Sequence, residues 1–197
     1  MKVAFGFKAH SGWAALVVVG QNSGDPVIVD RQRIELVENE WAKQPYHAAE
    51  DLKPAAARDL VKRGIQEAER NALREMRAAI KRETVRGNEV SACAVLVGEP
   101  MPDWSVDEIL AVHFRMHKAE GVLFRDVLAR AAERCGLKVV AVPEKQLAEY
   151  GALNTSARTL AQKVATLGKS VGPPWGKDQK DAALSALVAL LGQSKRR

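Results

Sequence analysis

The 197-residue chain contains no apolar run of the roughly 18 residues that a membrane-spanning helix needs. An integral membrane protein is therefore not expected, and a cytoplasmic one is. Cysteine is scarce: Cys93 and Cys135 stand alone in apolar surroundings, with no Cys-x-x-Cys pair and no zinc spacing. That sets aside a disulfide scaffold, and the two residues read as buried small hydrophobes. Repeats and low-complexity segments are also missing, apart from a basic end, "SKRR", within a tail over 192–197 that is expected to fray. The opening "MKVAFGFKAHSGWAALVVVG" has a charge followed by apolar residues, as a signal peptide does. Lys8, His10 and Ser11 interrupt it, so it reads as two strands joined by a bend.

The length suits one domain, 1–197, with a real core. Net charge is +6 and the pI about 9.4, which favours polyanionic partners. The charge is uneven. From Lys138 onward there are ten lysines and arginines against four acids, so this last third carries the whole excess.

Residues 2–7, 12–19 and 27–37 read as three strands with short turns, an antiparallel meander. Pro54 opens a long amphipathic helix to about Arg82, in which Val61, Ile65, Ala68, Ala72, Met76 and Ala79 recur at helical spacing. Its alternating charges read as a solvated face and not as a nucleic-acid groove. "VSACAVLVG" (90–98) is a continuous apolar run, as in a strand covered on both faces. Ser105 and Glu108 form a capping box that starts a helical region to about Cys135, with Gly121 a candidate break. A buried strand follows at 137–143, then helical pieces near 143–149 and 155–167, and a last helix from about 178 to 191. The order predicts an α/β fold: a five-stranded mixed sheet, antiparallel then parallel, with helices on both faces.

Candidate chemistry concentrates near the end. Asp178 and Asp181 lie three residues apart on one helical face, so their charges repel unless a cation receives them. Acids in a first turn also favour the helix dipole, and an N-cap role for Asp178 would stabilise by roughly 0.5–2 kcal/mol. Trp175 could stack on a base or sugar, or could pin its loop to the core. Lys177 and Lys180 are candidate phosphate contacts, and Arg158, Lys163 and Lys169 could extend the strip. His113 and His117, at i and i+4, could share a transition metal, with Glu120 the nearest further donor. No third ligand is evident, and surface histidines are the expected reading.

"FGFKAHSGWAALVV", "AEGVLFRDVLARAAERCGLKVVAVPEKQL", "NTSARTLAQKVATLG" and "KDQKDAALSALVALL", in that order, resemble the RuvC-type Holliday-junction resolvases of the ribonuclease H-like superfamily. They cover most of the chain outside roughly 38–85. The resemblance implies the ribonuclease H-like sheet and a metal-dependent endonuclease ancestry. It also implies a DNA partner and a possible homodimer. In that family, a first-strand carboxylate, one near the fourth strand and an acid pair on the last helix hold two divalent ions, Mg²⁺ or Mn²⁺, on the scissile phosphate. Asp178 and Asp181 match the acid pair, and Glu99 is the nearest candidate for the fourth-strand acid. The first-strand position holds Lys8, a cation that cannot ligate Mg²⁺. His10, two residues on, is expected past the strand end. Three readings stay open. In the first, the protein binds nucleic acid through a degenerate site in which Lys8 pairs with Asp178 or Asp181. The second is a divergent endonuclease that cuts branched or structured DNA with Glu99, Asp178 and Asp181. The third is a protein–protein module.

Overall fold

The structure, a computed structural model, describes residues 1–23, 25–147, 162, 164, 166–168 and 170–194. Strands β1 (Lys2–His10), β2 (Trp13–Asn22) and β3 (Asp25–Glu35) form the meander, and β4 (Glu89–Val97) and β5 (Val139–Pro143) complete one sheet. The strand order is β3-β2-β1-β4-β5. β1 pairs antiparallel with β2 and parallel with β4, and β4 pairs parallel with β5. The expected mixed five-stranded sheet is therefore present, with β1 at its centre.

The helices include α1 (Pro54–Val85), α2 (Val106–Leu110), α3 (His113–Arg134) and α4 (Lys177–Ser194), and short 3-10 turns precede α1 and follow β5. Side chains alternate across a strand, so β1 serves two cores. Val3, Phe5 and Phe7 pack with Ala68, Ala72 and Met76 of α1 and Phe124, Val127 and Leu128 of α3. Ala4 faces the other way and joins Ala92, Ala94 and Leu96 of β4 against Ala182, Ala186, Leu187 and Leu190 of α4. A smaller cluster of Tyr46, Ala49, Ala57, Val61, Ile109, Met116 and Ala119 seats the segment before α1.

Two glycines are required by their surroundings. A Cβ on Gly6 would lie 1.9 Å from the Ala182 carbonyl oxygen, so α4 reaches β1 only because no side chain stands there. Gly12 turns β1 into β2 at φ +83°, and its carbonyl accepts from Leu36 N–H at 2.8 Å.

Several expectations shift. β1 continues to His10, so that residue ends the strand instead of lying beyond it. The region 105–135 divides at Val112, whose backbone is extended (φ −141°, ψ 113°), while Gly121 sits inside unbroken α3. The piece expected at 143–149 is a 3-10 turn, Glu144–Gln146, as far as it is described. The piece at 155–167 falls mainly outside the described residues. α4 starts at Lys177 and runs to Ser194, so residues 192–194 of the expected tail are helical. Among the described residues no helix is long and apolar enough to cross a membrane.

Candidate functional site

β1, β4 and β5 run parallel, so their carboxyl ends share one edge of the sheet. The α4 N-terminus reaches the same edge through the close approach at Gly6. Four elements thus deliver ionisable groups to one place. They are Lys8 and His10 on β1, Glu99 after β4, Glu144 after β5, and Lys177, Asp178 and Asp181 on α4. Period two puts Lys8 and His10 on the same strand face as Ala4 and Gly6, the α4 side.

Lys8 is nearly buried, with 10% of its side chain exposed, and its Nζ is ion-paired with Glu144 Oε1. The partner expected for it, Asp178 or Asp181, is not the one it takes. The reason is local. Glu144 follows directly on Pro143 at the end of β5, on the face where Lys8 emerges, whereas each aspartate has a basic neighbour of its own. Lys177 Nζ lies 2.5 Å from Asp181 Oδ2, an i,i+4 pair within the first turns of α4. His10 Nε2 lies 3.1 Å from Asp178 Oδ2, within ion-pair reach but not at a hydrogen-bonding angle. Lys177 also stands 3.7 Å from Glu144, which links Lys8, Glu144, Lys177 and Asp181 into one chain of alternating charge. The hydrogen bond from Lys8 pulls the Glu144 carboxyl below the usual range against the opposing effect of burial, and the charges of Lys8, Lys177 and Arg125 add to it. Its bond to Asp181 raises the Lys177 ammonium in turn.

Glu99 is 73% exposed and pairs with Lys145 at 2.8 Å, which holds its carboxyl low. No described contact joins it to Asp178 or Asp181. The fit to Mg²⁺ or Mn²⁺ can be judged from these donors. A hard divalent ion needs several free carboxylate oxygens converging on it. Here the four acids meet Lys8, Lys177, Lys145 and His10, and two lysine ammonium groups sit within the cluster itself. That donor set does not fit a two-metal site.

The remaining candidates fall into place around this edge. Asp178 lies one residue inside α4 and does not cap it. The cap contact is made by Gln179, whose Oε1 accepts from Gly176 N–H at 2.9 Å, half of a capping box. Trp175 is half-buried over Gly168, and its Nε1–H donates to the Val164 carbonyl at 3.2 Å, so it pins its loop to the core. The same loop is clamped from β3, where Arg31 donates to the carbonyls of Val171 at 3.0 Å, Pro173 at 2.9 Å, and Pro174. Lys180 is exposed. Arg158, Lys163 and Lys169 lie outside the described residues. His10 stacks on Trp13 at 4.3 Å between ring centroids, and Arg33 covers the Trp13 ring at 3.8 Å.

Sequence reasoning missed Glu144. An acid directly after an apolar strand that ends in proline was the available signal, because ligand-facing residues of parallel sheets lie past the strands' carboxyl ends; the strand itself is not buried as expected, since only Val142 of β5 is.

The sheet order and the helices on its two faces define the ribonuclease H-like class of α/β folds. No protein-family model matches the chain, and no curated protein matches it in sequence. Among solved structures, it is similar to the RuvC structure of Thermus thermophilus, with 15% identity and a TM-score of 0.54 over 98% of this chain and 96% of that one. It is also similar to T. thermophilus RuvC in complex with a Holliday junction substrate, with 13% identity and a TM-score of 0.57 over 100% and 97%. At these identities the likeness establishes the fold.

Proposed function

We propose that this protein binds nucleic acid, in particular branched or structured DNA, through a ribonuclease H-like fold whose carboxylate site is neutralised by its own cations. The pairing of Lys8 with Glu144 carries the reading. A lysine placed inside an acid cluster supplies the positive charge that a catalytic ion would supply, and it repels such an ion. The basic last third of the chain and the likeness to a junction-bound RuvC support the DNA partner. Phosphate binding would use the exposed lysines at the α4 end, Lys180 first, with Arg158, Lys163 and Lys169 as further candidates. Trp175 serves this surface by fixing the loop that carries it.

The test is fluorescence anisotropy of a labelled four-way junction across a salt series. Binding should weaken linearly in log–log form, with a slope of about −0.9 per phosphate neutralised. Lys180→Ala should make that slope shallower by about 1. Absence of binding at low salt would leave a protein–protein module in its place. One observation favours a second reading. Glu144 brings a third carboxylate towards Asp178 and Asp181, which a divergent Mg²⁺- or Mn²⁺-dependent endonuclease could use if Lys8 and Lys177 were displaced. Cleavage of the same junction would establish it.

A further inference from the structure

Three of the four histidines meet far along the sequence from the carboxylate edge. His47 lies in the 3-10 turn His47–Ala49, and His113 and His117 occupy the first turns of α3. One ring nitrogen from each lies within 4.8 Å of one from each of the others. His113 Nε2 and His117 Nε2 are 3.2 Å apart. Two ligands of a tetrahedral ion with Zn–N bonds of 2.0–2.1 Å stand about 3.4 Å apart, so this pair already has the spacing of a ligand edge.

The ring orientations are fixed from behind. His47 Nδ1 meets Glu120 Oε2 at 2.7 Å, and the other oxygen of that carboxylate accepts from the backbone N–H groups of Tyr46 and His47, each at 3.1 Å. Glu120 is 5% exposed, so this buried acid is held by three donors on the turn that carries His47. A carboxylate at Nδ1 fixes the proton there and leaves the Nε2 lone pair free to bind. That Nε2 is buried and has no hydrogen-bond partner among the described residues. An unsatisfied buried acceptor is costly unless something binds it. On the other side, His113 Nδ1 lies 3.4 Å from Glu50 Oε1, the same carboxylate-behind-imidazole arrangement in looser form. His113 is 60% exposed, so the cluster opens to solvent on that side.

We propose that His47, His113 and His117 form a three-histidine site for a divalent transition-metal ion of the zinc class. All three would bind through Nε2, with Glu120 and Glu50 as orienting partners and the fourth position open to water. Imidazole nitrogen suits Zn²⁺, Co²⁺, Ni²⁺ or Cu²⁺ and does not suit Mg²⁺. The ion ties the segment before α1 to the start of α3. The site is independent of the carboxylate edge and of the function proposed above.

The test uses the full chain without an affinity tag, stripped of metal and titrated with Co²⁺ as the spectroscopic probe, then back-titrated with Zn²⁺. One equivalent should develop the visible absorption of low-coordinate Co²⁺, and Zn²⁺ should abolish it while excess Mg²⁺ does not. His113→Ala and His117→Ala replace surface residues and should each remove the signal. Glu120→Gln, which can still accept the two backbone N–H bonds, should weaken binding about 10–100-fold. Asp178→Asn should leave the titration unchanged. The proposal is overturned if the wild type shows no stoichiometric Co²⁺ signal. It is equally overturned if the His113→Ala/His117→Ala double variant titrates like the wild type, or if Asp178→Asn removes the signal.

Discussion

Replacing Lys8 by Met removes the charge at the centre of the carboxylate edge while keeping most of the stem's packing. The Lys8 side chain is 10% exposed and that of Glu144 32%, so the pair is desolvated mainly from the lysine side. Breaking a fully buried pair costs about 3–5 kcal/mol, and an exposed one contributes about 0.2–1 kcal/mol. Partial exposure of Glu144, and Lys177 at 3.7 Å as a substitute partner, put Lys8→Met at about 1–2 kcal/mol. For a chain of this size that lowers Tm by about 2–8 °C. Glu144→Gln added to Lys8→Met should cost clearly less than the sum of the two single changes, because it removes the stranded carboxylate. The pH dependence has a definite sign. Glu144 is held below its ordinary value, so the unfolded chain binds its proton more readily. The stabilisation from this pair is fully present above the ordinary carboxylate value of about 4.3 and is lost as pH falls through the depressed one. Lys8→Met should therefore flatten the acid limb of the stability curve below roughly pH 5. Urea unfolding of the two single variants and the double variant, at neutral and acid pH, measures all of this. Strict additivity, or an unchanged acid limb in Lys8→Met, would refute the pairing.

Two further substitutions probe how the site is positioned. Gly6→Ala drives a methyl group into the Ala182 carbonyl, a backbone atom that cannot step aside, and should cost about 3 kcal/mol or more in urea unfolding; a neutral result would mean that α4 does not approach β1 so closely. Trp175→Phe removes the hydrogen bond to Val164 and should cost about 1 kcal/mol in stability while leaving junction affinity nearly unchanged, whereas a large loss of affinity at unchanged stability would identify Trp175 as a stacking residue.

The sheet was legible because its signals are local and strong. The meander carries turn residues between apolar runs, and the continuous run at 90–98 marks a strand covered on both faces. The α1 core stripe was legible for the same reason: of Val61, Ile65, Ala68, Ala72, Met76 and Ala79, spaced for one helical face, all but the half-buried Ile65 are buried. What stayed hidden depends on contacts distant in sequence. Lys8 could be seen to need an acid, but its choice of Glu144 follows from the parallel placement of β1, β4 and β5, which no local pattern encodes. The division at Val112 was hidden because Gly121 offered the more obvious break, yet within a packed helix a lone glycine is tolerated. His113 and His117 declared their spacing, while the third histidine lies in an irregular segment with no periodicity to place it, and Glu120 read as one more charged residue on a helix.

The most direct test of the central claim is incubation of the wild-type protein with a labelled four-way junction in Mg²⁺ and, separately, in Mn²⁺, with binding and strand cleavage read from the same samples. The account predicts a bound junction that stays uncut in either ion, with affinity set by salt and not by the identity of the divalent cation. Metal-dependent cleavage that disappears in Asp181→Asn would contradict it and would show that Asp181 exchanges Lys177 for a metal ion.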